Sequence, residues 1–394
     1  MGIFHKNLVG VDLGSYSIKV VSLKGRPGSY RLEAAAAART INEGVEAFFG
    51  GEDGEGVAGA GGIALSERLA RLLRAKGIHG RLAATALSGG SLFSRHLALP
   101  GMPARDMREA VRWELKKEAT IPADDLVCDY IDYAPGPSRG RGRGGAEEAA
   151  KEKHPLLAFA ARRSDVEGLM ETFRRASLDL RVVDVVPAAI LAAYDLSYDW
   201  EEGVNNAVLD IGQSRSTLAI LKDREVKFTR ELRFGSGDLT RALASALQVS
   251  DEEAEACKIS HGLTGHAGPA GEPGGVEGAG GVAACGDAPE APDRAATIEK
   301  TAEAAIEGLC SEIGRSVDYY KAQFRSGAVG RLYLSGGGAL LRGIDDFVSN
   351  SLGIRCFVFD PLKRVKVPGG LDTGGDRALA PSLAVAVGLA TRTT

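Results

Sequence analysis

Apolar and polar residues alternate over residues 8–13, and strand patterns follow at 17–23 and 30–37, which together predict a hairpin series of three short strands near the start of the chain. An amphipathic helical pattern follows at 65–76. Strand patterns then recur at 83–87 and 94–99, and a helix is expected at 104–119. The segments "LVCDYIDYA" and "PLLAFAA" read as two arms of a hairpin with an overgrown connection, followed by a helix at 164–176. The strand "RVVDVV" leads into the helix "PAAILAAYDL", where Pro187 suits the first turn because its missing N–H does no harm there. From about residue 205 the pattern starts over: "NAVLDIGQSRSTLAILKDREVKFTRELRFG" is strand, polar turn, strand and strand again. A helix at 250–260 has Ser250 as its N-cap and Glu253 to complete a capping box. Near the end, a strand at 332–334 meets three glycines and a helix at 340–352.

Three stretches break this pattern. Residues 48–62 are Gly-rich and acidic, and residues 134–155 are rich in Gly and Arg and then in Glu and Lys. Residues 262–296 are Gly, Ala and Pro with almost no large apolar side chains, too few to offset the entropy of ordering them, so a mobile loop is expected. At 394 residues, 44% hydrophobic and 25% charged, the chain has enough material for two or three packing units. A formal charge of −4 with no dominant basic stripe gives no reason to expect nucleic acid. Arg139, Arg141 and Arg143 cluster in a glycine-rich loop that reads as solvated. Five scattered cysteines without a C-x-x-C, and six histidines without an H-x-x-x-H, support neither a disulfide framework nor a metal centre of those kinds. No signal segment or long apolar run is present, so a cytoplasmic chain without direct membrane insertion is expected.

The two restarts align turn on turn. Asp12-Leu13-Gly14 matches Asp210-Ile211-Gly212, each followed by small hydroxyl residues and a strand, and the duplication forms an internal repeat. Two such turns facing each other can hold a polyphosphate through backbone N–H groups near Gly14 and Gly212, through the hydroxyls of Ser15, Ser17, Ser214, Ser216 and Thr217, and through Lys19. Asp12 and Asp210 would repel phosphate unless Mg²⁺, held through water, lies between them. The alternative is a pair of structural turns with incidental hydroxyls. Gly336, Gly337 and Gly338, between strand and helix, would let a flat ligand lie on bare backbone beside a helix N-terminus. Glu255 and Lys258, three apart on one helix, share a face, as a surface ion pair or as a grip on a ribose and base.

In this order the elements resemble the actin-like ATPase superfamily, and within it the PilM family of type IV pilus assembly proteins. The segments "VGVDLGSYSIKVVSLKG", "LPGMPARDMREAVRWELKKEATIPADDLVCDY", "ELRFGSGDLTRALASALQVSDEEAEACKIS" and "LYLSGGGALLRGIDDFVSNSLGIRCFVFDP" carry the likeness. It implies an α/β actin-like fold: two RNase-H-like halves around a nucleotide cleft, with an inserted small α+β subdomain like that of the cell-division protein FtsA. On this reading residues 1–80 and 181–204 form the first half and 81–180 the insert. Residues 205–240 and 320–394 form the second half, and 241–319 its additional subdomain. It further implies ATP and Mg²⁺ as ligands. Asp12, Gly14, Ser15, Ser17 and Lys19 would form one phosphate loop, and Asp210, Gly212, Gln213, Ser214 and Thr217 the other. Glu255 and Lys258 would take ribose and base, and the triple glycine the adenosine. The implied role is a cytoplasmic adaptor at the inner membrane. It would bind the N-terminal peptide of the membrane protein PilN, connect to other inner-membrane complex and motor proteins, and possess the capacity to self-associate. A small-molecule kinase or an FtsA- or MreB-like polymer is the alternative. Asp184 is the candidate catalytic residue, but Val186 stands where relatives often carry an acid, so nucleotide binding is expected over turnover. Trp113 is expected in the core of the small unit rather than against a peptide.

Overall fold

The strands at Ser17–Lys24 and Glu225–Leu232 bury mainly alternate residues, whereas the central strands Val9–Leu13 and Asn205–Ile211 are buried almost throughout. The computed structural model describes residues 8–39, 64–87, 89, 92–132, 153–263, 292–324, 327–368 and 377–393. Strands β1 (Val9–Leu13), β2 (Ser17–Lys24) and β3 (Arg31–Arg39) pair antiparallel, and β4 (Leu82–Leu87) adds parallel to β1. The second half repeats this with β9 (Asn205–Ile211), β10 (Ser216–Lys222), β11 (Glu225–Leu232), β12 (Val329–Ser335) and β13 (Arg355–Val358), ordered β11-β10-β9-β12-β13. With β8 (Asp179–Val185) on its parallel edge, the first sheet has the matching order β3-β2-β1-β4-β8. A smaller antiparallel sheet of β5 (Leu92–Pro100), β6 (Leu126–Asp132) and β7 (Lys153–Arg162) is ordered β5-β7-β6.

Helices cover the sheets with their apolar stripes. Helix α1 (Leu65–Ala75) buries Leu69, Leu72 and Leu73, and α2 (Ala104–Lys116) buries Met107, Val111 and Leu115 at a spacing of four against the small sheet. Helix α3 (Arg163–Arg175) shares the first sheet's core through Leu169 and Phe173. Helix α4 (Val186–Ser197), with Pro187 in its first turn, lies almost wholly buried between the halves. There Ala189 and Tyr194 join Val208 and Leu221 of the second sheet and Leu157 of the small one in a single core. Helices α5 (Ser236–Leu247), α6 (Asp251–His261) and α7 (Pro292–Phe324) pack with the second sheet, as does α8 (Ile344–Leu352). Helix α9 (Ala384–Ala390) closes the first half beneath β1 and β2.

Several expectations change. Strand β4 and helix α3, assigned to the insert 81–180, belong to the first sheet and its core, so the small sheet occupies only residues 92–162. Helix α7 runs unbroken across the expected boundary at 319–320, because its apolar stripe stays on one core throughout. The expected mobile loop 262–296 gives way to helix at Pro292, and its other residues lie largely outside the described ones, as do 48–62 and most of 134–155. The helix expected at 340–352 starts only at Ile344; a 3-10 turn, Gly337–Leu340, comes first, and Gly343 then reverses the chain with φ +80°. Trp113 is 66% exposed on α2, on the side away from Met107, Val111 and Leu115, so it is not core.

Candidate functional site

The two repeated turns meet. Gly14 N–H donates to the Ser17 carbonyl at 3.1 Å, and Gly212 N–H to the Arg215 carbonyl at 3.0 Å, so both turns close alike. A Cβ at either glycine would come within 2.9 Å or 2.8 Å of that same carbonyl oxygen, which fixes glycine at the bend. Across the gap the Ser214 hydroxyl donates to Ser15 Oγ at 3.0 Å, bringing together residues 199 apart in sequence. Among the described residues, the N–H groups of Ser15, Tyr16 and Ser214 donate to no protein acceptor, leaving them available to an anion.

Beneath the turns lies a cleft of about 830 Å³, lined by Asp12, Gly14, Ser15, Ser17, Lys19, Asp210, Gly212, Gln213, Ser214, Thr217, Glu255, Lys258, Gly337 and Gly338. All the expected phosphate-loop residues therefore share one cavity. The strand pairing explains their placement. Asp12 pairs directly with Lys19, and Asp210 directly with Thr217, so each pair projects from one face of its sheet. Lys19 Nζ reaches Asp12 Oδ2 at 2.8 Å. Burial works against the Lys19 charge, but the carboxylates of Asp12 and then Asp210 outweigh it and leave its pKa above the ordinary value. Asp210 is pushed up to about 6 by burial first and by the negative charge of Asp12 second, although the Ser335 hydroxyl donates to it at 2.8 Å. Two carboxylates close enough that the charge of Asp12 raises the proton affinity of Asp210 form a hard oxygen donor set suited to Mg²⁺ held through water.

The remaining residues divide. Of the triple glycine, Gly337 alone has open space where a Cβ would go; Gly336 and Gly338 are pressed onto Ile211, with added Cβ atoms 2.4 Å and 2.2 Å from it. Gly336 does not line the cavity, so its place is structural. Glu255 and Lys258 are not a surface pair: their ion pair is 2.6 Å long, Lys258 is buried, and Thr240 joins both side chains by hydrogen bonds. Ser216 is fully buried, and its hydroxyl donates to the Phe234 carbonyl instead of facing the cleft. Asp184 is the penultimate residue of β8 and is held by Arg392 at 2.6 Å, outside the residues lining the cleft, whereas Val186 is among them. The cleft also holds Tyr16, Arg39, Arg215 and Glu231, which the motifs did not single out. The signal for Glu231 lay in the hairpin register: it pairs directly with Thr217, which pairs directly with Asp210.

Among the described residues no helix is long and apolar enough to cross a membrane. The family described as type IV pilus assembly protein PilM matches residues 10–267, and the cell division protein FtsA family matches residues 207–388. FtsA of Streptococcus pneumoniae is 24% identical over 52% of the chain and 42% of its own length. FtsA of Enterococcus hirae is 26% identical over 27% of the chain and 24% of its own length. The chain thus spans less than half of these curated relatives. A structure titled as a PilM–PilN type IV pilus biogenesis complex superposes with a TM-score of 0.75 at 24% identity, covering 98% of both chains. The ethanolamine utilization protein EutJ from Carboxydothermus hydrogenoformans gives a TM-score of 0.50 at 16% identity, covering 98% of this chain and 89% of its own.

Proposed function

The chain belongs to the PilM family of type IV pilus assembly proteins, and from that premise we propose that it is an adenine-nucleotide-binding scaffold of the pilus machine. The observation that carries this reading is the convergence of the two duplicated turns, joined Ser214 to Ser15 at 3.0 Å, over a cleft edged by Gly337. Phosphates would lie between the turns, against their N–H groups and Lys19. Mg²⁺ would be held through water by Asp12 and Asp210, where it offsets the negative charge of both carboxylates and of the phosphates. The adenosine would rest on Gly337, with ribose and base near Glu255 and Lys258. With Asp184 tied to Arg392 and Val186 facing the cleft, turnover would be slow at most.

The partner we propose is the N-terminal cytoplasmic peptide of a PilN-like inner-membrane protein, which would hold the chain at the membrane and link it to other complex and motor proteins. The superposition on a PilM–PilN complex supports that reading through the fold. Calorimetry tests both parts. Mg-ATP and the peptide are each expected to bind at micromolar strength or better, and Asp210→Ala to abolish nucleotide binding while the melting temperature holds. Unchanged ATP affinity in Asp210→Ala refutes the metal role; a peptide that fails to bind with ATP present refutes the adaptor.

A further inference from the structure

Four carboxylates line the cleft: Asp12, Asp210, Glu231 and Glu255. Three of them have close partners there. Asp12 is bound by Lys19 at 2.8 Å, Asp210 by Ser335 at 2.8 Å, and Glu255 by Lys258 and Thr240 at 2.6 Å each. Among the described residues, Glu231 has only Arg215 as an ion-pair partner, at 3.5 Å. It completes a row across three strands, Asp210, Thr217 and Glu231, all directed to one face by their direct pairing. The equivalent row in the first half runs Asp12, Lys19, Ala37, so the second half carries an acid where the first carries a methyl group. Its carboxylate also looks across the cleft, since a Cβ added at Gly89 would lie 4.0 Å from Glu231 Oε1.

We infer that Glu231 is the base that accepts the proton of the attacking water when a bound nucleoside triphosphate loses its terminal phosphoryl group. This rests on the nucleotide reading of the cleft. In the step, the water oxygen forms a bond to the terminal phosphorus, and the bond from that phosphorus to the bridging oxygen breaks. Its electron pair departs on the nucleoside diphosphate, and the water proton passes to a Glu231 carboxylate oxygen. Thr217, between Asp210 and Glu231, is placed to hold the water by its hydroxyl. Burial raises Glu231 above the ordinary glutamate range, with Arg215 and then Arg233 drawing it back, which suits a proton acceptor better than an ordinary surface carboxylate would. Arg215, itself at the second turn, is drawn towards the phosphates once they bind and leaves Glu231 free. The acid that Val186 does not supply is thereby supplied from the opposite half.

The test uses the full chain and its Glu231→Gln variant, with Mg-ATP affinity measured by calorimetry and phosphate release by single turnover. Expected are affinities within about threefold of one another and a fall in phosphate release of at least about 100-fold. The wild-type rate should also decline on the acid side as Glu231 takes up a proton, a limb that Glu231→Gln lacks. Retained affinity shows that the variant folds. Phosphate release by Glu231→Gln within about threefold of wild type overturns the assignment, as does a wild-type chain that binds Mg-ATP and releases no phosphate. Loss of nucleotide affinity in Glu231→Gln makes it a binding residue and overturns it as well. A wild-type chain that binds no nucleotide is a separate outcome, seen before any phosphate is measured, and overturns the nucleotide reading with it.

Discussion

Asp210 concentrates the electrostatics of the cleft in one side chain. Its folded pKa of about 6 lies above the ordinary aspartate value of 3.8, because burial and Asp12 both disfavour the ionised form. A raised folded pKa means that the folded state holds the proton more tightly than the unfolded chain does. The resulting stability is fully present below about pH 4 and is lost as pH rises through about 6. Asp210→Asn, which retains an oxygen for the Ser335 hydroxyl, should therefore stabilise the nucleotide-free protein at pH 7 by about 2 kcal/mol, and by almost nothing at pH 4. Denaturant melts at the two pH values check this, and an equal difference at both would show that the carboxylate is not strained by its surroundings. The acidic and hydroxyl residues of the turns were legible in the sequence because a repeated motif marks them. Glu231, Thr240 and Ser335 were not, since only the strand register and the packing of α5 on α6 bring them to the same place.

At the scale of elements, the period-two strands, the Ser250–Glu253 capping box and the amphipathic α1 were legible, because each is a local pattern. In the structure Ser250 Oγ accepts from Glu253 N–H at 3.2 Å, and Glu253 Oε2 accepts from Ser250 N–H at 3.1 Å. What local pattern could not give was partnership. Strand β4 and helix α3 read as part of the insert by proximity in sequence, whereas the parallel pairing of β4 to β1 decides otherwise. Trp113 misled for a similar reason: hydrophobicity placed it inside, but its angular position on α2 turns it out. The strand-to-helix corner offers an element-scale test, because its three glycines look alike in sequence and differ in space. Gly338→Ala drives a methyl group to 2.2 Å from the Ile211 side chain and should cost about 1–3 kcal/mol of stability. Gly337→Ala meets nothing within 4 Å, so it should leave the melting temperature unchanged while lowering nucleotide affinity at least about tenfold by intruding on the cleft. Equal nucleotide affinity in wild type and Gly337→Ala would move the adenosine away from this corner.

For the whole molecule, the question is how the small sheet is held against the second half. Part of the contact is apolar, through Leu157 and Phe159 packed in the same core as Leu221 and Val226. Beside it stands His96 of β5, its ring edge-on to Phe324 at the end of α7, with ring centroids 5.1 Å apart. Among the described residues its buried Nε2 has no hydrogen-bond partner, and burial first and the Lys227 charge second lower its pKa to about 4. Against an ordinary value of 6.5, this depressed pKa means that the folded state binds the proton less readily than the unfolded chain. The stability tied to neutral His96 is therefore present above about pH 6.5 and lost as pH falls towards about 4, a loss of about 2–3 kcal/mol after allowing for partial exposure. If local opening of the contact relieves the charge, hydrogen exchange should quicken in β5 and the last turns of α7 between pH 7 and pH 4.5, after correction for the intrinsic pH dependence of exchange. His96→Phe keeps the ring against Phe324 and removes the proton site, so its corrected protection there should stay level over the same range. Acid-induced loosening that persists undiminished in His96→Phe would place the sensitivity elsewhere and leave the small sheet held by its apolar contacts alone.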